Sequence, residues 1–293
     1  MFLAIVDLGS AGKAAERLGI SQPALTQTIS RLEERLRVKL FERSPRGMQL
    51  TRHGHTIAER ARIIVNESRY LIEELEAFRD GEGGELIVGA GPSLASWLVP
   101  EVVCHLNTIR PHLNIKVVEG MTDRLFPALQ RAEIDVAVST LSGPNWEKEF
   151  ASEVVMHDVM TVFGRAGHEL AGQQDVTLLN TLRFPWIMPP AGEALRFVVE
   201  DLFNAANLVL PRRVVETNSI SCMRALLQKG DYLTFVPRTL FVEEQRTNVL
   251  VPLAVEAGER RRLVHAVYRQ SEALSASAKL FINALHRTAR ARK

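Results

Sequence analysis

The sequence predicts an α/β protein with a small all-α unit at its amino end. Three observations carry this. Residues 1–50 hold short apolar-faced helical segments with no β-α alternation. From Glu85 onward, strand-like and helix-like segments alternate to the end of the chain, the pattern of parallel sheet covered by helices. Between them runs one long helical stretch, with no proline from Thr51 until Pro92. A chain of 293 residues with 46% apolar content can build two or three domains, each with a full core.

In chain order, Phe2, Leu3, Ile5 and Val6 give the first helix an apolar face. It begins at Met1 with no cap residue before it, so it reads as a helix whose start lies upstream. Ala11 to Leu18 is the second helix and Gln22 to Arg37 the third. The turn between them, Leu18-Gly19-Ile20, is too tight for side-by-side packing, so the two helices must cross steeply. Ser21 can cap the third helix, and Pro23 is tolerated in its first turn, where no helical N–H bond is lost. Leu25, Ile29, Leu32 and Leu36 recur on one face and should meet Ala14, Ala15 and Leu18 in a core. The opposite face presents Gln22, Thr26, Gln27, Ser30 and Arg31. These are neutral hydrogen-bonders plus one cation, whereas a merely solvated face is more often rich in Glu and Lys. Gln can bridge adenine, Arg guanine, and Thr can touch a thymine methyl in a major groove. Helix-turn-helix geometry puts the second helix of such a pair in that groove.

Phe41 to Leu50 reads as two short strands around a Ser-Pro-Arg-Gly turn. Arg43 and Arg46 flank this turn, placed to meet phosphate. Charge agrees: the chain totals only +2, but residues 1–52 hold nine basic against five acidic residues. The positive charge is therefore concentrated at one end, which points to a polyanion.

The long helix, with Thr51 as its cap, places Ile57, Ala61, Ile64, Ser68, Leu71, Leu75 and Phe78 at alternating steps of four and three, the seam of a two-stranded coiled coil. Asp80-Gly81-Glu82-Gly83-Gly84-Glu85 then breaks the chain like a linker, leaving no globular core beside that seam. Beyond it come strand ELIVGA, a helix, strand NIKVVEG, helix TDRLFPALQRA and strand EIDVAVS, a βαβαβ unit. A second unit follows with strands VMTVFG and FPWIMP, helix Ala194 to Ala206, strand RRVVETN, helix Ser219 to Lys229 and DYLTFVP. Strand RLVHAVYR and a helix from Leu274 to Arg290 close the chain. Two similar halves imply two lobes with a cleft, and ligands bind at the carboxyl ends of parallel strands.

Sharper chemistry fails on spacing. GAGPSL is half of a dinucleotide fingerprint, but Leu94 replaces the last glycine and Pro92 intrudes. HELAG opens like a zinc-protease helix, yet Gly172 stands where the second imidazole is needed. His53 and His55 have no acid or cysteine at ligand spacing and read as phosphate-contacting or surface residues. Cys104 and Cys222, far apart and each in a helical run, read as free thiols of a reducing compartment. His157-Asp158 and Cys104-His105 are sequence neighbours whose side chains point apart, so neither is a nucleophile–base pair. MFLAIVDLGS lacks a positive leader region, and no apolar run reaches the roughly 18 residues of a membrane span. The expectation is a soluble, cytoplasmic protein with no cofactor, metal or membrane partner, and not an enzyme. A solute-binding protein would share the lobes but would need a signal peptide and has no use for residues 1–79.

GSAGKAAERLGISQPALTQTISRLEERLRVKLFERSPRGMQLTRHG, Gly9 to Gly54, resembles the winged helix-turn-helix of LysR-type transcriptional regulators. The matching features are Ala14-Ala15, Leu18, Ser21-Gln22-Pro23-Ala24, Ile29, Leu32-Glu33, Leu40-Phe41-Glu42-Arg43, Leu50-Thr51 and Gly54. The resemblance continues through Pro100, Arg110-Pro111, Glu119-Gly120, Asp135 and GHEL. It departs at Gly12, where the family usually has Ser or Thr. That exchange weakens the second helix by up to about 1 kcal/mol or removes a phosphate contact.

The resemblance implies a winged helix-turn-helix at 1–52, a linker (dimerisation) helix at 53–79 and a hinge at 80–84. A two-lobed Rossmann-like, periplasmic-binding-protein-like effector domain then fills 85–293, with lobe 1 about 85–158 and 263–293 and lobe 2 about 159–262. It implies a homodimer, further a tetramer, on double-stranded DNA at a dyad-related promoter site, with RNA polymerase as another partner and a small-molecule effector in the cleft. The DNA contacts would be Gln22, Pro23, Thr26, Gln27, Ser30, Arg31, Arg43, Arg46 and Arg52. By analogy the effector would meet Ser93, Thr122, Ser139, Met188, Thr217, Asn218 and Ser219. Hydroxyls and free N–H groups at helix starts suit an anion, but mostly neutral candidates do not choose a ligand class.

Overall fold

The computed structural model describes residues 1–44, 47–79, 84–141, 150–256, 258–270 and 274–291. Three helices open the chain: α1 (Phe2–Leu8), α2 (Ala11–Leu18) and α3 (Gln22–Leu36). The antiparallel hairpin β1 (Phe41–Ser44) and β2 (Gly47–Leu50) follows, then α4 (Arg52–Arg79). Ser10 caps α2, which ends at Gly19 in the left-handed region, φ 66°. Ser21 Oγ accepts the Ala24 N–H at 3.3 Å to start α3. Phe2, Ile5, Ala14, Ala15, Leu25, Ile29, Leu40 and Ala58 form the core, and the Phe2 and Phe41 rings meet at 5.3 Å. Full burial of Leu25 alone is worth about 1.5–3 kcal/mol.

Two expected core residues lie outside it: Leu18 is 39% and Leu36 42% exposed. Each sits in the last turn of its helix, past the edge of this small core. Ile20 and Val38, just beyond the helix ends, pack against the core instead.

The hairpin is tied down by its neighbours. Glu33, nearly buried on α3, accepts the Leu40 N–H at 2.8 Å and the Phe41 N–H at 3.3 Å, and meets Lys39 Nζ at 2.6 Å. Thr51 donates to Lys39 O at 2.6 Å and accepts the Gly54 N–H at 3.0 Å, so it does cap α4. Gly54 has to be glycine: a Cβ there would lie 2.1 Å from Leu40 O.

The remainder comprises β3 (Glu85–Ala90), α5 (Pro92–Ala95), α6 (Leu98–Ile109), β4 (Asn114–Glu119), α7 (Thr122–Gln130) and β5 (Val136–Thr140). Next come β6 (Phe150–Arg165), α8 (Leu178–Thr181), β7 (Trp186–Met188), α9 (Ala194–Ala205), β8 (Val214–Glu216) and α10 (Ile220–Lys229). The chain ends with β9 (Thr234–Pro237), a 3-10 turn at Arg238–Phe241, α11 (Val242–Arg246), β10 (Leu250–Pro252), β11 (Arg260–Arg269) and α12 (Ala276–Arg290). One seven-stranded sheet runs β10-β6-β11-β5-β3-β4, with β9 also on β6. As expected, β3 pairs in parallel with β4 and β5, and β7 with β8. Two strands pass between the lobes. The long strand β6 pairs with β11 through its first part and with β9 and β10 through its last. It runs through the expected boundary at 158–159, and β11 through that at 262–263.

The first lobe packs Leu86, Val88, Val102, Leu106, Phe281 and Leu285 between the sheet, α6 and α12. The second packs Trp186, Val199, Phe203 and Phe235. One face of α4 lies on the first lobe, contrary to the expectation that no globular core stands beside it. Asn66 Nδ2 donates to Ala132 O at 2.7 Å. Asp135, 2% exposed, accepts from Arg69 Nη2, from Tyr70 O–H at 2.8 Å and from Ile87 N–H at 2.8 Å. Arg269 donates to Tyr70 O at 3.1 Å and to Leu129 O and Ile134 O. Burial first, then the Asp135 charge, pushes the Tyr70 hydroxyl well above its ordinary pKa, so it stays a donor. The expected hinge at 80–84 falls outside the described residues except for Gly84.

Candidate nucleic-acid interface and effector cleft

On α3, Gln22, Pro23, Thr26, Gln27 and Arg31 are exposed and Ser30 is half-buried. Leu25 and Ile29 hold the opposite face in the core. None of the Gln22, Thr26, Gln27, Ser30 or Arg31 side chains forms a hydrogen bond or ion pair with another described residue. Their donors and acceptors are open to a partner. Arg52 is exposed at the start of α4. The Arg43 side chain and all of Arg46 lie outside the described residues. At Gly12 an added Cβ would sit 3.6 Å from Gln22 Oε1, ordinary contact, so space does not require glycine there.

In the first lobe, Ser93, Thr122 and Ser139 follow or end β3, β4 and β5, at the carboxyl ends of the parallel strands. Ser93 is 7% and Ser139 5% exposed. Thr122 opens α7 without being its cap, which is Met121. In the second lobe, Thr217 Oγ1 accepts the Ser219 N–H at 3.1 Å, and Ser219 Oγ caps α10 through Cys222 N–H at 3.3 Å. Asn218 Nδ2 donates to Glu193 Oε1 at 3.0 Å. Met188 must be corrected: its side chain is fully buried in the second lobe's core, packed with Trp186 and Phe203. Only its backbone serves the cleft edge, its carbonyl accepting the Thr217 N–H at 2.9 Å.

Two further groups organise the cleft. Arg196, on α9, reaches Pro189 O at 3.1 Å, Glu216 at 2.9 Å and Glu200 at 2.8 Å, tying together the turns after β7 and β8. Where α5 meets the 3-10 turn after β9, Arg262 bonds Asp158 Oδ2 through Nε at 3.0 Å and Nη2 at 2.6 Å. The same Nη2 lies 2.9 Å from Ser93 Oγ, and Thr239 donates to Asp158 Oδ2 at 2.8 Å. One signal for this cluster was available: Asp158 is the lone acid in the run from Val154 to Gly164, and a buried charge must find a partner.

Comparison with known proteins decides the family. Residues 79–290 match the LysR substrate binding domain, and residues 1–55 match the bacterial regulatory helix-turn-helix protein, lysR family. The chain belongs to the LysR family of transcriptional regulators. YdcI of Escherichia coli K12, an HTH-type transcriptional regulator, is 28% identical over 98% of this chain and 93% of its own. Among solved structures, a full-length OxyR variant from Pseudomonas aeruginosa has a TM-score of 0.73 at 19% identity, covering 97% of this chain and 92% of that one. Full-length CbnR in complex with its target DNA has a TM-score of 0.65 at 20% identity, covering 98% and 97%.

The regulator is thus a DNA-binding protein with an effector domain and, as its family indicates, not an enzyme. No helix among the described residues is long and apolar enough to cross a membrane. No cluster of three or more His, Cys, Asp or Glu among them could hold a metal ion.

Proposed function

We propose that the regulator binds a dyad-related promoter site as a dimer in the cytoplasm, with α3 of each protomer in a major groove. Gln22, Pro23, Thr26, Gln27, Ser30 and Arg31 meet base edges, and Arg43, Arg46 and Arg52 meet phosphate. An effector held by Ser93, Thr122, Ser139, the backbone at Met188, and Thr217, Asn218 and Ser219 alters the bound geometry. RNA polymerase is the downstream partner.

The observation that carries this reading is the open polar face of α3 behind an apolar core face. Dimerisation is supported by α4. Ile57 and Ala61 pack into the amino-terminal core, but Ile64, Val65, Leu71 and Ile72 are exposed by 52–69% among the described residues. Leu75 and Phe78 continue the same stripe in sequence, their side chains outside the described residues. We further propose that two such dimers form a tetramer, which light scattering of the promoter-bound protein would test.

The experiment is a gel shift with the intergenic DNA upstream of the gene. Gln27→Ala should lose about 1–3 kcal/mol at the cognate site and nothing on random DNA. An equal loss on both would remove Gln27 from base reading.

A further inference from the structure

The amino end is not the chain's only concentration of positive charge. Residues 274–293 hold Lys279, Arg287, Arg290, Arg292 and Lys293 and no acid, a net +5. With +4 in residues 1–52 and +2 in the whole chain, residues 53–273 carry −7. A stretch without one carboxylate, set beside so acidic a body, is segregated charge.

α12 sorts this charge to one side. Ala278, Phe281, Ile282, Leu285 and Ala289 are buried in the first lobe's core. Lys279, Asn283, Arg287 and Arg290 are exposed. At 3.6 residues per turn they fall within an arc of about 80° on the far side. Lys279, Arg287 and Arg290 make no hydrogen bond or ion pair with any other described residue through their side chains. Glu153, the acid that α12 does engage, is taken by His286 Nε2 at 3.0 Å and by the Tyr268 O–H at 3.1 Å.

A solvated face ordinarily mixes both signs, and elsewhere on the effector domain exposed guanidiniums are matched. Arg165 meets Asp231, Arg183 meets Glu169 and Arg246 meets Glu243. Helix stability explains only part of the α12 face. Arg287 and Arg290 complement its carbonyl end, but Lys279 lies in the first turn, where a cation opposes the helix dipole.

Placement gives the partner. α12 packs against α4, the helix that leaves the DNA-binding unit at Arg52. α4 is fixed to the first lobe at Asn66, Arg69 and Tyr70, about 21–27 Å along its axis from Arg52 at the usual rise. The unpaired cations are thus carried on the same body as the rod that presents α3. Duplex DNA offers one charge per roughly 1.7 Å of its axis whatever its sequence, which suits a row of cations with no shaped pocket.

We propose that the outer face of α12 is a second DNA contact, in which Lys279, Arg287 and Arg290 hold backbone phosphates of the duplex flanking the site read by α3. Arg292 and Lys293, outside the described residues, continue the basic run in sequence. The contact touches no base, so it adds affinity without specificity. It rests on the regulator binding DNA, not on which α3 residues read the bases.

The test measures binding of the full chain to three duplexes across a salt series. These are the intergenic DNA, the same DNA trimmed to the shortest duplex still bound specifically, and a long random sequence. The triple variant Lys279→Gln, Arg287→Gln, Arg290→Gln should bind the trimmed duplex as the parent does. On both long duplexes it should bind at least about tenfold more weakly at low salt. Its salt slope there should be shallower by about two to three units for each protomer engaged, at roughly 0.9 per phosphate. Gln27→Ala, in contrast, should lose the same factor on both promoter duplexes. Asn283→Arg, which adds a cation to the face, should steepen the slope by about one unit. Arg287→Lys with Arg290→Lys should bind as the parent does, and these last two variants decide the matter if the triple variant melts early. An unchanged slope in the triple variant, an equal loss on the trimmed duplex, or no gain from Asn283→Arg overturns the proposal. An unchanged slope with lost retention on phosphatidylserine vesicles assigns the face to a lipid surface; one with a changed mass in light scattering assigns it to a second copy. A protein that binds its promoter with no effect of the flanks refutes the second contact alone. One that binds neither promoter nor random DNA refutes the regulatory reading and the second contact with it.

Discussion

The outer face of α3 and the inner face of α4 are both polar helix surfaces, yet their side chains are in opposite states. Gln22, Thr26, Gln27 and Arg31 on α3 are exposed and bonded to nothing described in the chain. Asn66, Arg69 and Tyr70 on α4 are engaged with Ala132, Asp135, Glu85 and Arg269. A polar group taken out of water must be satisfied internally, so the α4 face works as a joint. One left in water and unengaged is available to another molecule, so the α3 face works as a probe. The same residue types serve structure or recognition according to what the fold sets opposite them.

The largest expected effect lies in the joint. Asp135→Ala removes the acceptor for Arg69, Tyr70 and the Ile87 N–H together. Breaking a buried ion pair from one side costs about 3–5 kcal/mol. The unfolding midpoint of the effector domain in urea should fall accordingly. A loss of unfolding free energy of less than about 1 kcal/mol would mean that water can replace Asp135 there. Because Asp135 immediately precedes β5 and Ser139 lies near its far end, about 13 Å away at the usual strand rise, the joint and the cleft are connected by one strand. The variant should therefore also loosen any coupling between effector and DNA binding.

A third state is found on the same helix. Leu71 and Ile72 are apolar and uncovered, 58% and 52% exposed. Leu71→Glu should dissociate the proposed dimer, since each buried leucine contributes about 1.5–3 kcal/mol and a two-fold contact would lose it from both protomers. Light scattering that still gave the dimer mass would separate α4 from dimerisation.

How much of this was legible in the sequence follows from distance along the chain. The α3 face and core stripe are set by residues three and four apart, so periodicity reveals both. The wing, the long helix and the β-α alternation are likewise local patterns. The joint pairs Arg69 with Asp135 across 66 residues, and the cleft pairs Arg262 with Asp158 across 104 and with Ser93 across 169. No local period encodes such contacts. Asp135 and Asp158 could be flagged as acids in apolar runs, but not matched to their partners. The burial of the Met188 side chain was hidden for a related reason: its place at a strand end was visible, but not that all three residues of that strand are buried, with Ile187 and Met188 in different cores.

The smallest effect concerns Glu33, which sits between the two states: nearly buried, but bonded to the exposed Lys39. Burial pushes its pKa up, but the Lys39 contact and the N–H groups of Leu40 and Phe41 outweigh burial, and the net shift is downward from the ordinary carboxylate value. The sign then fixes the pH dependence. A depressed carboxylate pKa contributes stability in full above its ordinary value, and that contribution is lost as pH falls through the lower folded value. Glu33→Gln keeps one acceptor for the Leu40 N–H but loses the charge. It should therefore cost about 1–3 kcal/mol at neutral pH, chiefly through the charged hydrogen bonds, since the exposed lysine adds little. Hydrogen exchange at the Leu40 amide reads this directly. Protection should be lower in the variant at pH 7, and the gap should close as the pH drops below the ordinary carboxylate range. A gap that stays constant with pH would show that Glu33 holds the wing by shape and not by charge.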